Sequence, residues 1–467
     1  MQKMTRREAA FRRKHLSCVR HITLDPYGPG VVRIHMIPPR GGAEGESFLL
    51  LLNGAHLVPL NLSWAILLSN FMDALEPFGG HEIGESDWAR ITDQAVAATG
   101  RVYPFLFRRR LRDDLGLMLD SLMDIARGRT PETEVELLTL GEYAPYMTAP
   151  HRMDLMVSAM TKNGCWHCNQ KCLHCYAAGQ PLGETTELTT AEWKEVLQKL
   201  RGANIPQVTF TGGEPTLRDD LVELVDAAQW FVTRLNTNGR LLTPSLCRSL
   251  YEASLDSVQV TLYAADAATH NALVGAPGFD DTVQGIRSAV EAGLIVSINT
   301  PLCSLNRDYD ATLRFAHSLG VRYATCSGLI PSGDALGADS RATALSADEL
   351  TDILRDATAT AAALGMELDF TSPGWLDEET LRSLGLQLIP SCGACLSNMA
   401  VTPGGKAVPC QSWLSGDVLG DMLKDEWKDI WESDACRKNR EYSAKMEGLC
   451  PLRHYAESEE GGEANEE

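Results

Sequence analysis

A chain of 467 residues, 44% of them hydrophobic, is long enough for two or three domains with separate cores. Its 62 Asp and Glu outnumber 42 Lys and Arg, a formal charge of −20, and that sign argues against nucleic-acid backbones and anionic membranes as partners. No apolar run approaches the length of a membrane span, and the basic stretch 1–15 is not followed by the apolar segment of a signal peptide. A cytoplasmic protein is therefore expected, in which thirteen cysteines point to metal rather than to disulfides.

In chain order, Arg20 to Leu24 and Val31 to Met36 have strand-like composition, and Asn53-Gly54 predicts a type I′ hairpin joining Phe48 to Leu52 with Ala55 to Leu60. Asn61 is placed to cap a helix whose Trp64, Leu67, Leu68, Phe71 and Leu75 form one apolar stripe. A second helix is predicted around Asp87 to Ala97. A third carries Leu111, Leu115, Met118, Leu122 and Ile125 and stops at Gly128. Strands followed by three short helices over 1–130 resemble the winged-helix-like PqqD-like element found with peptide-modifying enzymes. That resemblance implies capture of a precursor peptide's leader by strand addition; a packing or dimerisation domain is the alternative. Residues 131–152, with Pro131, Pro145 and Pro150, read as a linker.

Beyond it stands Gly164-Cys-Trp-His-Cys-Asn-Gln-Lys-Cys-Leu-His-Cys-Tyr176, in which Cys168, Cys172 and Cys175 are separated by three and then two residues. Three thiolates on one tight loop can ligate three corners of a four-iron, four-sulfur cluster and leave the fourth iron open. A zinc knuckle is the alternative, since Cys165 and Cys168 also form a CxxC pair, but only three residues separate the two pairs. The Cys168-x3-Cys172-x2-Cys175-Tyr176 spacing resembles the cluster loop of the radical S-adenosylmethionine (radical SAM) superfamily, where Cys165 would be a bystander.

From 153 to 375 short apolar runs alternate with amphipathic helices, the pattern of βα units about a parallel sheet. Strands are predicted at Leu155 to Met160, Gln207 to Thr211, Phe231 to Leu235, Val258 to Leu262, Ile295 to Asn299 and Arg322 to Cys326, and Thr189 with Glu192 forms a capping box. Six such units predict an α/β fold, a partial (β/α)6 TIM-like barrel whose site lies at the strands' C-terminal ends. There the second strand ends in Gly212-Gly213-Glu214-Pro215 and the third in Asn236-Thr237-Asn238. Paired glycines allow close approach of backbone to a ligand, and a carboxylate beside them can receive an ammonium group. Gly212, Gly213, Glu214 and Pro215 match the GGEP element of the radical SAM enzymes, which implies that they receive the methionyl amine. By the same resemblance Tyr176 lies beside the adenine, and Thr237 and Asn238 contact the cofactor. Tyr263 and His270 read as barrel packing and as a helix-surface histidine.

The segment 376–455 carries Cys392, Cys395, Cys410 and Cys450, with Pro403-Gly404-Gly405 as a hairpin turn bringing Cys395 and Cys410 together. It resembles the SPASM and twitch domains of peptide-modifying radical SAM enzymes. This implies one auxiliary four-iron, four-sulfur cluster on those four cysteines, with Cys436 the rival fourth ligand and zinc the alternative metal. A SPASM domain would supply a further set of cysteines after Cys450, where this chain reads Pro451-Leu-Arg-His454 and runs into the acidic tail 456–467, read as disordered. Cys18, Cys247, Cys303 and Cys326 read as core thiols. The resemblance implies reductive cleavage of S-adenosylmethionine to a 5′-deoxyadenosyl radical and hydrogen abstraction from a ribosomally made precursor peptide, giving a crosslink, thioether, epimer or cleavage. A flavodoxin or ferredoxin-type reductant would be the electron source. Radical chemistry on a small molecule, and a non-enzymatic iron-sulfur carrier, are the other readings.

Overall fold

The computed structural model describes residues 4–17, 19–24, 32–38, 48–52, 56–78, 83–127, 129–138, 142, 147–386, 389–416, 418–445 and 450–452. The Asn53-Gly54 turn, the Gly128 stop, Cys18, Pro145 and the acidic tail lie outside them. The chain divides into two compact units, 1–148 and 149–467. That division falls within the stretch read as a linker.

The first unit is a four-stranded antiparallel meander, β1 (Arg20–Leu24), β2 (Val32–Ile37), β3 (Phe48–Leu52) and β4 (His56–Leu60), with helices α2 (Leu62–Leu75), α3 (Glu85–Val102) and α4 (Arg108–Ala126). Every residue of β3 is buried, and Phe48, Leu50 and Leu52 form the face that packs in one core with the helices. The Asn61 side chain accepts the Trp64 N–H at 3.0 Å, so the predicted cap is in place. One element was not anticipated: α1, Arg6–His15, which precedes the sheet. It buries no residue and so carries no apolar stripe to be read; its signal was the capping box of Thr5 and Glu8. Tyr103, at the end of α3, donates its hydroxyl to Glu8 at 2.9 Å and ties the helix down. Residues after α4 also belong to this unit: Val135 packs on its core, and the Leu138 N–H donates to Leu57 O on β4 at 2.9 Å.

In the second unit all six predicted strands are present: β5 (Arg152–Ser158), β8 (Gln207–Gly212), β9 (Val232–Thr237), β10 (Ser257–Thr261), β11 (Ile295–Pro301) and β12 (Tyr323–Ser327). They pair in parallel in that order, and a seventh strand, β13 (Glu367–Phe370), adds beyond β12. Helices connect them, the first (Thr190–Gly202) opening on the predicted Thr189–Glu192 capping box and burying Trp193, Val196, Leu197 and Leu200. A two-residue hairpin, β6 (Thr161–Lys162) and β7 (Cys165–Trp166), follows β5. The C-terminal segment is continuous with this sheet: β14 (Asn398–Val401) pairs in parallel with the outer side of β5, Met399 opposite Met153, and leads to β15 (Lys406–Val408) and β16 (Gly420–Asp421). One ten-stranded sheet therefore carries both groups of cysteines.

Candidate active site: two cysteine groups on one sheet

The cysteine loop leaves β7, where Cys165 is exposed, and Cys168, Cys172 and Cys175 are half-buried. It is held by backbone. Lys171 and Leu173 donate to the carbonyls of Val274 and Leu273, each at 2.9 Å, at the C-terminal end of helix Ala267–Val274. On another side Asp334 N–H donates to Cys175 O at 3.0 Å, and Ser340 Oγ to Leu173 O at 2.7 Å. Gly333, at φ +60°, is required there, since a Cβ would fall 2.5 Å from Cys175 O. Neither contact could be found from the sequence, because 273–274 and 332–340 bear no motif.

Burial, then repulsion from its partners, holds the Cys172 thiol far above its ordinary range; burial pushes Cys168 up to about 12 and raises Cys175. Backbone N–H groups are nonetheless aimed at the sulfurs: that of Gln170 at Cys168, those of Ala177 and Ala178 at Cys175. Three buried sulfurs that repel one another as thiolates, each offered donors, suit a cationic metal group that replaces their protons. The donor set thus fits a cluster bound by three cysteines.

Gly212 and Gly213 approach backbone rather than open space. A Cβ on Gly212, at φ +135°, would fall 2.3 Å from Ser158 O, and one on Gly213 2.7 Å from Ala159 O. The pair therefore clamps the end of β8 against the end of β5, and the Cys168 thiol donates to Gly213 O at 3.5 Å. Glu214 is 1% exposed. It accepts from Thr237 Oγ1 at 2.6 Å, Asn238 N at 2.8 Å, Thr216 N at 3.0 Å and Thr216 Oγ1 at 2.5 Å. Burial raises its pKa against the pull of those donors. Asn238 in turn donates to the Asn169 side chain at 2.6 Å, and Arg240, not singled out from the sequence, donates to Asn169 O at 2.6 Å. The cysteine loop, Gly212 to Pro215, and Thr237 to Asn238 are thus one hydrogen-bonded constellation.

Tyr176 packs with Met156, Met160, Ala177, Ala400, Val408 and Leu414, a cluster that spans the cysteine loop and the C-terminal strands. Its hydroxyl pKa is raised by burial, then by Cys175 and Asp154. Asp154, also unread from the sequence, is 2% exposed on β5 and pairs with Arg152 Nε at 3.0 Å. His270 is fully buried rather than on a helix surface: its Nδ1 accepts the Tyr263 N–H at 3.3 Å, and its ring lies between Tyr263 and Phe279. The period of a short helix did not reveal that this face is covered. Cys247, Cys303 and Cys326 are fully buried.

In the C-terminal segment Cys392 and Cys395 are buried, Cys395 at φ +55°, and Cys410 follows β15. Helix Asp434–Lys445 docks on them: Ser443 Oγ donates to Ala394 O at 2.7 Å and to Cys392 Sγ at 3.5 Å. Cys436, on the same helix, is fully buried and hydrogen-bonded to Cys395, which lowers its pKa with the help of Arg440. Cys410 is raised by burial, and after it by Cys392 and Cys450. Five thiols therefore gather here, Cys436 on the Cys395 side and Cys450 on the Cys410 side. Among the described residues no three His, Cys, Asp or Glu side chains are arranged to hold a single metal ion.

Residues 167–316 match the family model of the radical SAM superfamily, and 392–452 that of the iron-sulfur cluster-binding SPASM domain. A probable GTP 3′,8-cyclase of Methanopyrus kandleri is 38% identical over 29% of this chain and 45% of its own. An AdoMet-dependent heme synthase of Methanosarcina barkeri is 33% identical over 36% of this chain and 49% of its own. The chain spans about half the length of these curated relatives. Among solved structures, Streptococcus suis SuiB bound to precursor peptide SuiA superposes with a TM-score of 0.60 over 87% of this chain and 93% of that one, at 13% identity. Native anSMEcpe with bound AdoMet and Kp18Cys peptide gives 0.51 over 63% of this chain and 84% of that one, at 16% identity.

Proposed function

Given a chain that carries a radical SAM domain followed by a SPASM domain, we propose that it is an enzyme that cleaves S-adenosylmethionine reductively and abstracts hydrogen from a precursor peptide. Cys168, Cys172 and Cys175 hold the first four-iron cluster. When bound, that cluster and S-adenosylmethionine supply a 5′-deoxyadenosyl radical. Glu214, with Thr237 and Asn238 orienting its carboxylate, receives the methionyl ammonium, and Tyr176 lies beside the adenine. Cys392, Cys395, Cys410 and Cys450 hold one auxiliary cluster, with Cys436 as the competing ligand. The observation that carries the reading is the contact of the Cys168 thiol with Gly213 O, which makes one site of two motifs 45 residues apart in sequence. Release of 5′-deoxyadenosine under dithionite tests it; an iron-free chain, or undiminished release from Cys172→Ala, overturns it.

The peptide substrate is supported by the first unit and by the likeness to peptide-bound SuiB over most of the chain. In the first unit we propose a PqqD-like module of residues 1–130 that takes the leader by strand addition. Because β4 is met by Leu138, addition falls to the β1 side. A flavodoxin or ferredoxin-type protein supplies electrons. No helix among the described residues is long and apolar enough to cross a membrane, in keeping with a cytoplasmic site. Pull-down with a peptide encoded beside the gene tests the substrate. The curated relatives favour a second reading, a small-molecule substrate, since one is named for cyclising GTP and the other for making heme; failure to retain any neighbouring peptide supports it.

A further inference from the structure

Within the cysteine loop two buried polar side chains, Gln170 and His174, make less than full use of their hydrogen-bonding capacity, and of the two it is Gln170 that meets the sulfurs. Gln170 is 4% exposed, and its Nε2 has no partner. A buried amide nitrogen left without an acceptor is destabilising, so the site holds it for some other reason. The surroundings supply one. The Gln170 backbone N–H is aimed at the Cys168 sulfur, and the Gln170 Oε1 accepts the Cys172 thiol at 3.7 Å. One residue thus touches two of the three sulfurs.

The third sulfur is provided for differently. Cys175 receives the backbone N–H groups of Ala177 and Ala178. Cys172 is offered its own backbone N–H and meets, in addition, a side-chain carboxamide. A cysteine sulfur bound to metal has no hydrogen left to donate, and it becomes an acceptor. The present bond, in which Cys172 gives and the carboxamide oxygen takes, cannot survive ligation. The same carboxamide carries two N–H groups with no other claim on them, and a half-turn about its terminal torsion presents them to the sulfur.

We propose that Gln170 is a positioning residue for the cluster held by Cys168, Cys172 and Cys175. In the loaded protein its side-chain N–H donates to a sulfur at Cys172, and so raises the reduction potential of that cluster. The inference rests on the assignment of those three cysteines as cluster ligands. Hydrogen bonds to cluster sulfurs stabilise the reduced, more negative state, and they are among the levers that set such potentials. Gln170→Leu removes the donor at similar volume. Gln170→Glu keeps the shape and replaces the donor by an anion.

The test is an EPR-monitored redox titration of the signal that responds to S-adenosylmethionine, with iron counted in each protein. The expected result is unchanged iron, a lower midpoint for Gln170→Leu, and a still lower one for Gln170→Glu. Equal midpoints in proteins of equal iron content overturn the proposal. Should a variant not take up iron, the wild type answers alone: with glutamine 15N-labelled at the side-chain amide, pulsed EPR of the reduced cluster must show a 15N coupling. Its absence overturns the proposal. Absence of any S-adenosylmethionine-responsive signal in the wild type is a different outcome, which overturns the ligand assignment and this inference with it.

Discussion

The Cys168 thiol donates to the carbonyl oxygen of Gly213 at 3.5 Å, and the glycine that precedes Gly213 lies against Ser158 at the end of β5. The two motifs therefore meet through the backbone as well as through any ligand they share. The proximity requires that Gly212 and Gly213 carry no side chain, so their function in the fold precedes their function toward a cofactor.

Gly212→Ala combines a Cβ 2.3 Å from Ser158 O with a φ of +135°, and is expected to cost about 2–4 kcal/mol. The thermal transition of the second unit should fall by several degrees. Gly202→Ala, which meets nothing within 4 Å, should leave it nearly unchanged. Equal melting of the two variants would falsify the clamp.

Arg240 holds Asn169 O at 2.6 Å and also reaches Pro277 O at 3.2 Å. Arg240→Ala should loosen the loop, and hydrogen exchange of peptides covering 168–175 should quicken while those of β10 and β11 do not change. Arg240→Lys should not restore protection, because a single ammonium cannot span the two carbonyls that the guanidinium fork reaches.

Glu214 is held above the ordinary carboxylate range by burial. A carboxyl whose folded pKa is raised binds more protons in the folded than in the unfolded state, so ligand-free stability is expected to fall as pH climbs from the ordinary value through the raised one. Only the ionised form pairs with an ammonium, so affinity for S-adenosylmethionine should rise over that same window. Glu214→Gln should flatten both trends and weaken binding by at least about tenfold, or about 1.4 kcal/mol. Equilibrium dialysis across pH measures it; a variant that binds as tightly as the wild type contradicts the role.

The five C-terminal thiols give a division that iron analysis can read. Two four-iron clusters amount to about eight iron ions per chain. Cys450→Ser should lose about half of them, whereas Cys436→Ser should keep them. Cys436 lies against Cys395 through a hydrogen bond, so the opposite pattern reassigns the fourth ligand to it.

Local chemistry was legible without coordinates: the spacing of Cys168, Cys172 and Cys175, the Gly212 to Pro215 turn, the Thr189–Glu192 capping box and six apolar runs each announce themselves within a dozen residues, because ligand loops, caps and strands are short-range devices. Only the folded chain decided which distant groups complete them. Arg240, Ser340 and Asp334 brace the loop from helix ends and turns that carry no motif; Asp154 is buried by a strand pairing; and His270 is covered by Tyr263 and Phe279 rather than exposed. The pairing of β14 with β5 makes the C-terminal cysteines part of the same sheet, and its register depends on hydrogen bonds between segments more than two hundred residues apart, which local pattern does not encode.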